Sequence, residues 1–141
     1  MKKAIIDTNM LLVPGQHKVD IFTQLDSVID DSYQIIILES TIKELNDIIQ
    51  GKNGSTGEDK QAAKLALMLI EHQKQRDFAA STNCKGLKVI SSSVKHTDDA
   101  IITIAEDDTL VATNDSKLRQ RLLEKGVQVI YLKQKQYLTL T

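Results

Sequence analysis

Short apolar runs separated by amphipathic stretches set the rhythm of this chain. Ala4-Ile5-Ile6 is a continuous apolar run, as in a strand buried on both faces, and it stops abruptly at Asp7-Thr8-Asn9. From Val19 to Ile29 the residues Val19, Phe22, Leu25, Val28 and Ile29 fall at helical spacing. Tyr33 to Leu38 is a second apolar run, and a helix over 40–50 follows with Ile42, Leu45 and Ile49 on one face. Gly51 to Gly57 is rich in Gly, Asn and Ser and predicts a loop. Beyond it, the stripe of Leu65, Met68 and Leu69 predicts a long helix over about 58–80.

The second half alternates cleanly. Leu87 to Ile90 reads as a strand and 97–107 as a helix carrying Ile101, Ile104 and Ala105. Leu110 to Thr113 is a strand, 116–125 a helix stopped by Gly126, and Val127 to Tyr131 a strand. Strands alternating with helices imply right-handed crossovers. The expected fold is α/β: a three-layer α/β/α sandwich around a mostly parallel central sheet of about five strands, with residues 1–141 in a single domain.

Composition adds mainly exclusions. With 41% apolar and 26% charged residues, the chain has the make-up of an ordinary globular domain. At 141 residues it buries roughly 70% of its unfolded surface, so its core needs no staples. The single cysteine, Cys84, excludes a disulfide framework and a multi-cysteine zinc site, and His17, His72 and His96 are scattered. No apolar run is long enough to span a bilayer, and Met1-Lys2-Lys3 leads into only three apolar residues, unlike a signal peptide. The expectation is a cytoplasmic protein without a membrane partner.

Ligands of open parallel sheets bind beyond the carboxyl ends of the strands. Acidic residues follow four successive predicted strands there: Asp7, then Glu39 and Glu44, then Asp98 and Asp99, then Asp115. Each has a local explanation. Thr41-Ile42-Lys43-Glu44 has the form of a capping box, Asp98 and Asp99 suit the positive end of a helix, Asp115 is a natural N-cap, and Asp7 can hold a turn. Capping does not explain their convergence. Carboxylates within ~5 Å repel by several kcal/mol at an effective dielectric near 20. An all-oxygen set without His or Cys selects a hard divalent ion, Mg²⁺ or Mn²⁺, and such a site suits phosphodiester hydrolysis.

These residues, in this order, resemble the PIN-domain nucleases: Asp7-Thr8-Asn9 after a first strand, Glu44 on the second helix, Asp99-Ala100-Ile101-Ile102 opening a later helix, and Thr113-Asn114-Asp115 closing a strand. The resemblance spans nearly the whole chain. Asn9 to Gln16, followed by Val19-Asp20-Ile21-Phe22, looks like the archaeal branch related to eukaryotic ribosomal-RNA-processing PIN proteins, and less like the VapC-type toxins. The resemblance implies a metal-dependent endoribonuclease cleaving single-stranded RNA, often dimeric, that leaves a 5′-phosphate. Its partners would be ribosome-assembly factors in one branch and an antitoxin in the other. By position, Asp7, Glu44, Asp99 and Asp115 would be catalytic and hold the ion, with Asp98 or Asp99 as the inward acid of its turn. Asn9 would orient Asp7, and Thr113 and Asn114 would steady the pocket.

Charge changes this picture locally. The net charge of -1 gives no overall attraction to phosphate, but residues 97–115 carry -6 and residues 116–135 carry +5. Lys117, Arg119 and Arg121 are therefore candidate RNA contacts beside an acidic pocket; a merely solvated helix face explains them equally well. The five aromatic residues, Phe22, Tyr33, Phe78, Tyr131 and Tyr137, sit mostly in apolar stretches and read as core, not as a base-stacking platform. Two other functional classes remain in view. A catalytically silent RNA-binding or assembly module would keep the fold without the chemistry. A phosphotransfer enzyme using Asp7 as nucleophile lacks the second aspartate two residues on, where Asn9 stands.

Overall fold

Alternate residues of the short strands face opposite sides, which builds two cores from one sheet. The computed structural model describes residues 1–76 and 83–141. The strands are β1 (Lys2–Ile6), β2 (Tyr33–Leu38), β3 (Cys84–Ile90), β4 (Thr109–Ala112), β5 (Gln128–Lys133) and β6 (Tyr137–Leu140), in the order β3-β2-β1-β4-β5-β6. The first five run parallel and β6 pairs antiparallel with β5. Ala4, Ile6, Tyr33, Ile35, Ile37, Leu110, Ala112 and Ile130 face one core. Ile5, Ile36, Leu38, Val111 and Val129 face the other.

Helices α1 (Thr8–Leu11), α2 (Val13–His17), α3 (Ile21–Val28), α4 (Glu39–Ile49) and α5 (Gly57–Gln75) supply Met10, Leu11, Val13, Phe22, Leu25, Leu45, Ala63, Ala66 and Ile70 to the first core. Helices α6 (Thr97–Ile104) and α7 (Ser116–Glu124) supply Ala100, Ile101, Leu118 and Leu122 to the second. Sheet faces covered on both sides make the three-layer sandwich expected from the alternating pattern. Small residues let two helices of one layer approach. A Cβ on Gly15 of α2 would lie 2.5 Å from the Ala62 Cα of α5, so only glycine fits that crossing.

The differences from the sequence reading have identifiable causes. Among the described residues the sheet has six strands, not five, because a hairpin adds β6. Its turn residues Gln134 and Lys135 both take positive φ (55° and 56°) without the Gly or Asn that normally signals such a turn. Helices α1 and α2 went unpredicted because four and five residues carry no readable 3.6 period. The helix expected over 97–107 stops at Ile104. That expected over 58–80 ends at Gln75, and its positions 77–80, with Phe78, lie outside the described residues. Of the aromatic residues, Phe22 and Tyr33 are core, whereas Tyr137 is exposed.

The chain order fixes where a site can form. From β1 the sheet grows one way through β2 and β3, then the other way through β4 and β5. The carboxyl ends of β1 and β4 therefore flank the topological switch point, where neighbouring connections diverge and leave a crevice.

Candidate functional site

Asp7 is the first residue after β1 and Thr113 the first after β4, so the crevice begins between them. Asp7 caps α1: its Oδ1 accepts the Thr8 N–H at 2.8 Å. Its Oδ2 accepts the Thr113 hydroxyl at 2.8 Å and the Asn9 amide at 3.1 Å. The Asp7 carboxyl, 8% exposed, is pushed above the usual range chiefly by burial. The bonds from Thr113 and Thr8 oppose that shift, and the nearby Glu44 and Asp115 charges add to it.

The supporting shell is continuous. Asn9 Oδ1 accepts the Asn114 N–H at 2.9 Å, and Asn114 Oδ1 in turn accepts the Leu132 N–H of β5 at 2.8 Å. Thr113, fully buried, accepts the Asp115 N–H at 3.1 Å while donating to Asp7. Three consecutive strands of the sheet are thereby tied to one carboxylate. Sequence spacing suggested supporting roles for Asn9, Thr113 and Asn114, but not this chain of bonds into β5.

The other acids arrive from separate elements. Glu44 lies in the middle of α4, not at its start, so it forms no capping box at Thr41; its Oε1 accepts the Thr8 hydroxyl at 3.0 Å instead. Asp115 caps α7, its Oδ1 accepting the Lys117 and Leu118 N–H groups at 2.9 and 3.2 Å. Asp98 opens α6 and accepts the Asp99 N–H at 3.0 Å. Asp7, Glu44, Asp98 and Asp115 line one cleft of about 400 Å³ with Thr8, Asn9, Leu12, His96 and Thr97, and neither Lys nor Arg lines it. Asp99 does not line the cleft: it pairs with Arg121 of α7 at 2.9 Å. Local sequence alone does not reveal which of two adjacent aspartates a helix turns inward.

Three candidate RNA contacts follow Asp115 on α7. Lys117 is exposed, and the Arg119 guanidinium lies over the Tyr131 ring, 4.6 Å from its centroid. Arg121 is engaged by carboxylates, 2.9 Å from Asp99 and 3.7 Å from Asp98. Lys117 and Arg119 therefore remain the stronger candidates for phosphate.

The donor chemistry suits a hard divalent ion. Every charged side chain of the cleft is a carboxylate, and among the described residues no hydrogen-bond donor reaches Glu44 Oε2 or Asp115 Oδ2. Among those residues, however, no three His, Cys, Asp or Glu side chains stand close enough to form a ready-made cage. A hydrated Mg²⁺ keeps several waters and takes only one or two protein carboxylates, and this donor set meets that smaller demand.

Comparison with known proteins gives a consistent grouping. The profile of the family described as PIN like domain matches residues 4–135. Ribonuclease VapC4 of Methanocaldococcus jannaschii is 28% identical over 139 residues, covering 97% of this chain and 95% of that protein. Ribonuclease VapC9 of Archaeoglobus fulgidus is 28% identical over 132 residues, covering 93% and 83%. Among solved structures, the PIN domain endonuclease Utp24 superposes with a TM-score of 0.67 at 21% identity, covering 98% of this chain and 90% of that one. At that identity the likeness is one of fold. Since the family profile runs through all but the two ends of the sequence, this chain belongs to the PIN-like domain family.

Proposed function

We propose that this protein is an endoribonuclease that hydrolyses phosphodiester bonds of single-stranded RNA with Mg²⁺ or Mn²⁺. The observation that carries the reading is the convergence of four carboxylates from four elements on one cleft at the switch point of the sheet. Relatives of nearly the same length that bear the name ribonuclease support the substrate class.

Asp7, Glu44, Asp98 and Asp115 would hold the ion, one or two of them directly and the others through its waters. When bound, it supplies Lewis acidity that activates water and charge that neutralises the phosphate. The chain's own groups do the rest. Thr113, Asn9 and the Thr8 N–H fix the Asp7 carboxylate before substrate arrives, so no reorganisation is needed during reaction. Glu44, steadied by Thr8 and with its second oxygen open, is placed to take the proton of the attacking water. The water oxygen bonds to phosphorus, the bond to the 3′ oxygen breaks, and that oxygen takes up a proton from solvent as Glu44 releases its own, giving a 5′-phosphate and a 3′-hydroxyl. Lys117 and Arg119 draw the flanking phosphates along α7, and their charge makes binding salt-dependent.

The test is cleavage of an unstructured RNA oligonucleotide with Mn²⁺. Wild-type protein cuts it, Asp7→Asn does not, and chelation stops the reaction. Equal cutting by Asp7→Asn would assign the activity to a contaminant, and no cutting by wild type would favour a silent RNA-binding module. The Asn9 to Gln16 stretch supports a ribosomal-RNA substrate, whereas the names of the sequence relatives support a toxin-type ribonuclease with an antitoxin. A small protein encoded beside this one that suppresses its activity would decide for the toxin; its absence, with cleavage of precursor ribosomal RNA, would decide for processing.

A further inference from the structure

Arg121 of α7 and Lys125, the residue just past its end, both reach α6. Arg121 pairs with Asp99 in the first turn of α6 at 2.9 Å and approaches Asp98 at 3.7 Å. One turn along α7, Lys125 donates from Nζ to the Ile102 carbonyl towards the other end of α6. Between these polar contacts, Leu118 and Leu122 share a core with Ala100 and Ile101.

Neighbouring residues on a helix project about 100° apart, at 3.6 per turn, so the rotation of α6 about its axis decides which aspartate meets the cleft. Asp98 lines it and Asp99 does not. The Arg121–Asp99 side chains are each 45% exposed, so the pair adds little to stability. Its consequence is orientation.

We propose that Arg121 is a positioning residue for cation binding: by holding Asp99 against α7 it sets the rotation of α6 that turns Asp98 into the cleft. This rests on the reading of the cleft as a divalent-cation site. It also gives Arg121 a task other than contacting RNA. Simple electrostatics and positioning predict opposite signs here. Removing a positive charge beside the cleft would by itself tighten cation binding; releasing α6 weakens it.

The experiment is a titration with Mn²⁺ alone, reading the free ion by electron paramagnetic resonance, with no RNA and no turnover. Arg121→Gln binds Mn²⁺ about two- to fivefold more weakly than wild type, the most that an exposed ion pair can bias. Arg121→Lys recovers part of that loss. Asp99→Asn loses about as much as Arg121→Gln, the double variant loses no more than either, and Asp98→Asn loses more than Asp99→Asn. Melting temperatures of the Arg121 variants stay within a few degrees of wild type, so unfolding does not account for the loss. Unchanged or tighter binding by Arg121→Gln overturns the proposal, as does a greater loss in Asp99→Asn than in Asp98→Asn, which would make Asp99 the ligand. Failure of the underlying reading looks different: wild type would not bind Mn²⁺, or Asp7→Asn would bind it as well as wild type does. Binding abolished by Asp7→Asn yet intact in Arg121→Gln sinks the positioning role alone.

Discussion

Thr113→Val isolates the bond that holds Asp7. The two side chains are nearly equal in volume, and Thr113 is fully buried, so the substitution removes a hydroxyl without opening a cavity. Where Asp7 is ionised, the substitution takes a charge-assisted donor, at 2.8 Å, from a buried carboxylate, and at any pH it takes the acceptor of the Asp115 N–H. Loss of a hydrogen bond to a charged group costs about 1.5–3 kcal/mol, and the second loss adds about 1 kcal/mol. A deficit of about 3 kcal/mol follows, equivalent to a drop of about 10 °C in melting temperature.

The pH dependence of that deficit is the sharper test. Burial raises the Asp7 pKa above 3.8 in the folded protein, and the Thr113 bond partly opposes that rise. Without the hydroxyl the folded pKa climbs further, so the variant holds more protons when folded than wild type does. Stability falls with rising pH wherever the folded state binds more protons than the unfolded state. The deficit is therefore smallest below pH 3.8, where Asp7 is protonated and loses only a neutral bond of about 1 kcal/mol. It grows as pH rises through the raised pKa of Asp7 and reaches its full size once that group is ionised. Urea unfolding of both proteins from acid to neutral pH measures the difference, and Thr113→Ser restores wild-type behaviour. A deficit independent of pH, or one below about 0.5 kcal/mol as at an unremarkable surface site, would refute the reasoning.

Other expectations follow from the same geometry. Gly15→Ala forces a Cβ to within 2.5 Å of the Ala62 Cα and 2.7 Å of its Cβ. It destabilises the fold by about 1–3 kcal/mol in denaturant titration, and Ala62→Gly relieves only part, since the backbone clash persists. Adding Mg²⁺ or Mn²⁺ raises the melting temperature, because an ion that binds only the folded protein stabilises it by mass action. That gain fades as pH falls through the raised pKa of Asp7, where protons compete for the carboxylate, and it is absent in Asp7→Asn. A gain that persists at low pH, or in the variant, would place the ion elsewhere.

How much was legible beforehand depended on the range over which each signal acts. Apolar runs such as Ala4-Ile5-Ile6 and Ile35 to Leu38 mark strands covered on both faces, because burial on two sides removes the polar alternation. Acids after those strands pointed to one edge, because parallel strands deliver their carboxyl ends together. Local patterns misled where tertiary contacts took over. Glu44 looks like part of a capping box, yet α4 starts at Glu39 and a hydroxyl from α1 claims its carboxylate. Asp99 fits the motif better than Asp98, yet it pairs with Arg121, 22 residues away, and does not line the cleft. Gln134 and Lys135 give no turn signal, so β6 was invisible until β5 offered it an edge.

Anomalous diffraction from a crystal soaked in Mn²⁺ tests the central claim without reference to any substrate. The expected result is a single region of manganese density in the cleft, in contact with Asp7 and Asp115 directly or through one water, and lost in Asp7→Asn crystals. Density elsewhere on the surface, with that cleft empty at saturating Mn²⁺, would contradict it.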